Sequence, residues 1–151
     1  MIVYRLARKA FKDDLKGTGA EKYGGRWNNI GMPMLYTCEH QSLCVLEFAV
    51  HMQLALMPQD LYMISIKLPD PKKSLIKAQG FPYNWDQTPH NNATQLYGDE
   101  FLEKEEHLAM SIPSSIIKAE RNILINPKHK LAGEIKIVAA YLFSFDKRLF
   151  E

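Results

Sequence analysis

From Gln41 to Met57 the chain is apolar almost without a break, and a carboxylate, Glu47, stands in the middle of the run. The length of the run and its lack of alternation favour a helix over a strand, with Ser42 a suitable cap before it. On such a helix Leu43, Leu46, Glu47, Val50 and Leu54 fall at i, i+3, i+4, i+7 and i+11, which is one face. Glu47 is expected to point where the leucines point. A carboxylate without a partner is costly to bury, so the residue is either a satisfied core acid or a catalytic one in an oily cleft.

The segment before this helix looks built to approach something closely. Five glycines lie between Gly17 and Gly31, and glycine alone enters positive φ cheaply. Arg26 follows Gly24-Gly25, where a guanidinium can make two-pronged contact with phosphate or carboxylate. The plainer alternative is a structural ion pair, with Glu47 itself as one candidate. Tyr36 ends a short apolar strand, Pro33 to Cys38, beside the glycine loop, where its ring could stack on a flat ligand or merely pack.

Other chemistries fit poorly. Ser114 has no GxSxG setting and no His–Asp support, so it reads as a hydrogen-bonding hydroxyl and not a nucleophile. His51 is one turn from Glu47, yet no second ligand pair accompanies it, and Cys38, His40 and Cys44 match no common zinc spacing; no metal is expected. The glycines miss both GxGxxG and the P-loop. A net charge of +2, from 19 basic and 17 acidic residues scattered along the chain, argues against a dedicated nucleic-acid surface.

With 151 residues and 46% hydrophobic content, one domain spanning 1–151 is expected. Strands are expected at Ile2–Leu6, Leu61–Leu68, Ser114–Lys118 and Ile123–Asn126. The apolar run Ile135–Phe145 reads as a strand in a sheet interior. A second helix is expected over Asn92–His107, with Leu96, Phe101 and Leu108 inward. The stretch with Phe81, Pro82, Trp85 and Pro89 reads as a loop that could cover a pocket. No signal-peptide core or membrane-length apolar run occurs, and the two cysteines form no framework, which points to the cytoplasm.

Arg26 in GGRWN, Glu47 in LEF and Ser114 in PSS, in this order, resemble the RES-domain family, named for an Arg, a Glu and a Ser. Tyr36 matches a further family tyrosine, and the likeness runs on through TQLYGDEFL, IPSSIIKAERNILINPKH and FSFDKRL. Ser115 is adjacent to Ser114; the position directly after the proline is preferred. The resemblance implies an α+β fold like that of ADP-ribosyltransferases, with a split central sheet and flanking helices. It also implies a type II toxin that cleaves the nicotinamide–ribose bond of NAD+, with inorganic phosphate as co-substrate. Transfer to a protein and nucleotide binding without turnover remain as alternatives. Arg26, Tyr36, Glu47 and Ser114 would be catalytic, and Arg26, Trp27, Tyr36, Ser114 and Asn126 would contact NAD+. The implied partner is a helix-turn-helix antitoxin that carries any DNA contact; a homodimer stays open, and no membrane is involved.

Overall fold

The computed structural model describes residues 1–150 as a seven-stranded mixed sheet with four helices around it. In chain order these are β1 (Ile2–Arg8), α1 (Thr18–Tyr23), β2 (Leu35–Cys38), α2 (Gln41–Ala49), β3 (Leu61–Lys67), α3 (Pro71–Ser74), β4 (Leu75–Lys77), α4 (Asn92–Lys104), β5 (Ala109–Pro113), β6 (Arg121–Ile125) and β7 (Lys136–Phe143). The strand order is β4-β5-β6-β2-β1-β3-β7, antiparallel except for the β4–β5 pair. The expected split is visible in the register. β1 pairs with β3 along its whole length, Ile2↔Lys67 to Arg8↔Leu61, and β2 pairs fully with β6, whereas β1 meets β2 only at Tyr4↔Cys38. Two lobes are thus hinged at one corner, and α2 starts three residues beyond it.

Strand alternation sorts the core. On β6, Ile123 and Ile125 face one cluster with Val3, Leu35, Ile64 and Ile66, while Leu124 faces the opposite side with Met110, Ile112 and Trp27. That is the period of two expected for a sheet covered on both faces. A third cluster, Leu6, Leu43, Cys44, Leu61 and Met63, seats α2 on the hinge. Fully burying a side chain such as Leu43 contributes about 1.5–3 kcal/mol, so the helix is fixed by its N-terminal half.

Several expectations need correcting. α2 stops at Ala49 instead of running to Met57: His51 N–H donates to Phe48 O and Met52 N–H to Ala49 O, the tighter bonds that close a helix end. His40, without a side-chain bond, occupies the N-cap, and Ser42 lies inside the helix. Leu43 is buried, but Leu46 is 37% and Val50 59% exposed, so no continuous oily face forms. Leu54 falls past the helix, and its side chain lies outside the described residues. β7 is the sheet's last strand, an edge with most of its residues exposed, not an interior strand. Residues 114–118 form a turn between β5 and β6. On α4, Leu96 is exposed, and the buried positions are Thr94, Gly98, Asp99 and Leu102. The loop nature of residues 81–91 holds. Among the described residues no helix is long and apolar enough to cross a membrane.

Candidate functional site

The glycine loop is held against α4 by contacts that leave no slack. Gly24 takes φ +70°, and a Cβ on Gly25 would lie 2.6 Å from the Tyr36 hydroxyl. That hydroxyl donates to Asn28 Oδ1 at 2.6 Å and accepts from Trp27 N–H at 3.0 Å. Asn28, fully buried, donates to Ala20 O and Met32 O. From α4, Gln95 Nε2 donates to Gly25 O at 3.1 Å, and Asp99 accepts from the backbone and side-chain N–H groups of Asn29 at 3.0 and 2.7 Å. Between them Gly98 lies so close that a Cβ there would be 1.7 Å from Trp27 O. Tyr36 is therefore a strut of this loop; burial pushes its phenol well above the usual range, so the hydroxyl keeps its proton.

Arg26 projects from the braced loop. Its Nη1 donates to Trp85 O at 2.9 Å and Gln87 O at 2.7 Å. No carboxylate pairs with it among the described residues, so the structural ion pair with Glu47 does not form. Both Nη1 protons are used, which leaves Nη2 and Nε as donors. Trp27, only 3% exposed, packs its ring 5.8–6.2 Å from those of Phe81, Trp85 and Tyr97. Its indole belongs to the core and is not available to stack on a ligand.

Glu47 sits across the hinge, half-buried near the end of α2. Its Oε1 accepts from Ser114 Oγ at 2.8 Å and from Asn122 Nδ2 at 2.6 Å, while Oε2 takes no hydrogen bond from the described residues. Ser114 is fully buried; besides donating to Glu47, its Oγ accepts from Ile116 N–H at 3.0 Å and Ile117 N–H at 3.2 Å. Those bonds engage the hydroxyl's proton and both lone pairs, so Ser114 orients Glu47 and shapes the turn. Ser115 makes none of these bonds, which distinguishes the two serines. Asn126 is 1% exposed, donating to Leu102 O at 2.9 Å and accepting from Lys128 N–H at 3.0 Å; it braces the end of α4 and lines a hollow with Met32 and Leu102 that neither Arg26 nor Glu47 reaches.

Arg26 and Glu47 are each half-buried. Two hollows of about 480 and 340 Å³ lie elsewhere, one beside Tyr97, Phe101 and His107, the other beside Met32 and Leu102, and neither is lined by Arg26, Glu47 or Ser114. The oily cleft expected around Glu47 is thus neither of these hollows. Partial burial, then Arg26 and His51, hold the imidazole of His90 below the usual value. Asp86 and Lys118 join their two loops through a 2.5 Å ion pair. Among the described residues no group of three or more His, Cys, Asp or Glu is placed to hold a metal ion.

Asn122, Gln95, Gly98 and Asp99 were not singled out by sequence reasoning. A signal existed for three of them: Asn122 stands directly before the apolar run Ile123–Ile125, at even spacing from Leu124, and Gly98-Asp99 interrupts an otherwise ordinary amphipathic helix; Gln95 offered none.

Comparison with known proteins places this geometry in a family. The RES domain model matches residues 2–146. A Toxin Res of Yersinia enterocolitica is 35% identical over 151 residues, covering 99% of both chains, and one of Photorhabdus laumondii is 33% identical over 154 residues, covering 99% of this chain and 97% of the other. A Prs ADP-ribosylating toxin of a Sphingobium species is 32% identical over 148 residues, covering 95% and 91%. The toxin in the crystal structure of the M. tuberculosis MbcT-MbcA toxin-antitoxin complex superposes with a TM-score of 0.76 at 16% identity, over 99% of this chain and 86% of that one, a likeness of fold. The sequence match, its near-complete coverage and the Arg, Glu and Ser just located lead to one conclusion: the chain belongs to the RES domain family.

Proposed function

We propose that this chain is the toxin of a toxin–antitoxin pair and that it consumes NAD+ by breaking the bond between nicotinamide and ribose, with inorganic phosphate as the acceptor. The observation that carries the reading is the state of Glu47, with one carboxylate oxygen gripped by two donors and the other left free. In NAD+ the pyridinium nitrogen already bears positive charge. When the C–N bond breaks, its electron pair goes to that nitrogen, nicotinamide leaves neutral, and the charge passes to the ribose. No general acid is required, so one carboxylate suffices where glycosidases use two. Glu47 Oε2 stabilises the electron-poor ribose, and a phosphate oxygen then forms the new bond to the anomeric carbon.

Arg26 suits the pyrophosphate or the incoming phosphate through the donors its loop contacts leave free. Tyr36 serves indirectly, by fixing the loop that aims Arg26. Glu47→Gln keeps the shape and loses the charge; if the charge supplies about 4 kcal/mol, turnover falls roughly a thousandfold. The test follows nicotinamide release from NAD+ with and without phosphate and identifies the ribosyl product. Phosphate-dependent release of an ADP-ribosyl phosphate, lost in Glu47→Gln, supports the reading. Stoichiometric binding without release would make the chain a nucleotide-binding module.

A second acceptor has its own support. Glu47 is only half-buried, within reach of a macromolecule, and one relative carries the name Prs ADP-ribosylating toxin. Transfer of ADP-ribose to a protein would appear as phosphate-independent release with a labelled protein product. The partner we infer is an antitoxin, in keeping with the MbcT-MbcA complex. In this reading it is a helix-turn-helix protein that makes any DNA contact, and the pair acts in the cytoplasm.

A further inference from the structure

Asn122 is placed where a strand of this kind would ordinarily carry an apolar side chain. On β6 it shares a face with Leu124, opposite Ile112 of β5 and Cys38 of β2, and is itself half-buried. Its Nδ2 reaches Glu47 Oε1 at 2.6 Å, and its Oδ1 is buried with no hydrogen-bond partner. The amide cannot be turned over, because that would set its oxygen against the carboxylate oxygen with no proton between them. The chain therefore keeps an unsatisfied acceptor in its interior in order to hold one N–H on Glu47. A residue retained for stability alone would not do so, since a buried acceptor without a donor is destabilising and an apolar side chain of similar size would remove it.

The two donors on Oε1 come from different elements, Ser114 from the turn after β5 and Asn122 from β6 itself. Together they fix the carboxylate about its last torsion, which is otherwise broad, and leave Oε2 without a hydrogen bond from the described residues. Tyr36 is opposite Leu124, one diagonal step from Asn122 across the β2–β6 pair. The acid and the strut of the Arg26 loop thus rest on adjacent positions of a single strand pair.

We propose that Asn122 is a positioning residue for Glu47, setting the orientation of the carboxylate from the sheet beneath it. The proposal rests on the reading of Glu47 as the acid that works on NAD+, and its test separates the two. Asn122→Leu removes both the donor and the orphaned acceptor; Asn122→Asp keeps the shape and puts a second carboxylate beside Glu47. In Asn122→Leu the melting temperature stays level or rises while kcat for nicotinamide release falls roughly tenfold to a hundredfold, with KM nearly unchanged. In Asn122→Asp the acid limb of the rate profile moves to higher pH.

A second readout does not depend on turnover. In a crystal structure of Asn122→Leu the Glu47 carboxylate turns away from the orientation it holds in the wild type. If the wild type releases no nicotinamide, the NAD+ reading falls, and the comparison of the two structures still decides the role of Asn122. A Glu47 carboxylate that keeps its wild-type orientation in Asn122→Leu, or an Asn122→Leu variant that keeps wild-type kcat in an active protein, overturns the proposal. So does a loss of activity explained wholly by a lower melting temperature.

Discussion

Replacing Gly98 with alanine tests whether the α4 contact builds the site. The new Cβ would lie 1.7 Å from Trp27 O and 2.7 Å from Trp27 C, both backbone atoms that no rotamer change can move. To reach even 3.0 Å, α4 and the 24–29 loop must part by roughly 1.3 Å. Asp99 and Asn29 are joined by bonds of 3.0 and 2.7 Å, and Gln95 and Gly25 by one of 3.1 Å, so a displacement of that size stretches all three beyond bonding range. Overpacking costs about 1–3 kcal/mol, and the lost bonds, one pair of them to a carboxylate, cost about as much again or more. Alanine's better helix propensity returns only about 1 kcal/mol. The net loss of about 1–5 kcal/mol lowers the melting temperature by roughly 2–20 °C for a chain of this size. Thermal unfolding followed by circular dichroism measures it. Gly19→Ala is the paired control, since a Cβ there meets nothing within 4 Å; it should raise the melting point by a few degrees. A Gly98→Ala protein that melts with the wild type would refute the argument that this contact sets the loop.

Ser114→Ala should cost about 1–3 kcal/mol, because Ile116 N–H and Ile117 N–H lose their acceptor, and should lower turnover, whereas Ser115→Ala should stay within about 0.5 kcal/mol of wild type; urea titration and an activity assay of both separate the roles. Arg26→Lys should raise KM for NAD+ or phosphate more than it lowers kcat, since one ammonium cannot hold Trp85 O and Gln87 O and still present a planar fork; an unchanged KM counts against Arg26 as an anion ligand. The depressed imidazole of His90 predicts a pH effect. Its neutral form is favoured in the fold, so the unfolded chain takes the proton first as pH falls through about 6.5, and the associated stability, present above that pH, is lost below it. Urea midpoints at neutral and mildly acidic pH should therefore fall less in His90→Asn than in wild type, and equal falls would count against this assignment.

The parts of the fold set by local pattern were legible in the sequence. Short β-prone or apolar runs marked β1, β2, β3 and β6, and a more polar helical stretch marked α4. Position in the sheet was not legible. The run Ile135–Phe145 looks interior because its residues are apolar, yet β7 is an edge, and nothing in a strand's own residues says how many neighbours it has. The face of α2 was misjudged for a similar reason. Spacing tells which residues share a side, but Leu46 and Val50 are exposed because only the first half of the helix reaches the hinge cluster. Arg26, Glu47 and Ser114 were found through their motifs, and their side chains turned out to serve each other's placement as much as any ligand. Asn122 passed unremarked because its meaning depends on the Glu47 side chain of α2 reaching β6, a tertiary fact.

The Arg, the Glu and the Ser for which the family is named are linked here by contacts, although Arg26 and Glu47 do not touch. Arg26 holds the carbonyls of Trp85 and Gln87; Asp86, between them, pairs with Lys118; Lys118 ends the turn that Ser114 organises; and Ser114 donates to Glu47. The links differ in strength. Hydrogen bonds from a charged guanidinium to carbonyls contribute about 1.5–3 kcal/mol each. An ion pair as exposed as Lys118–Asp86, with side chains 68% and 30% accessible, contributes about 0–1 kcal/mol. The 81–91 loop is therefore fastened on the Arg26 side and only lightly held on the Glu47 side. Such a strap keeps the guanidinium aimed while leaving the carboxylate approachable, which is the asymmetry required if a dinucleotide is to be gripped at its phosphates and cut at its sugar.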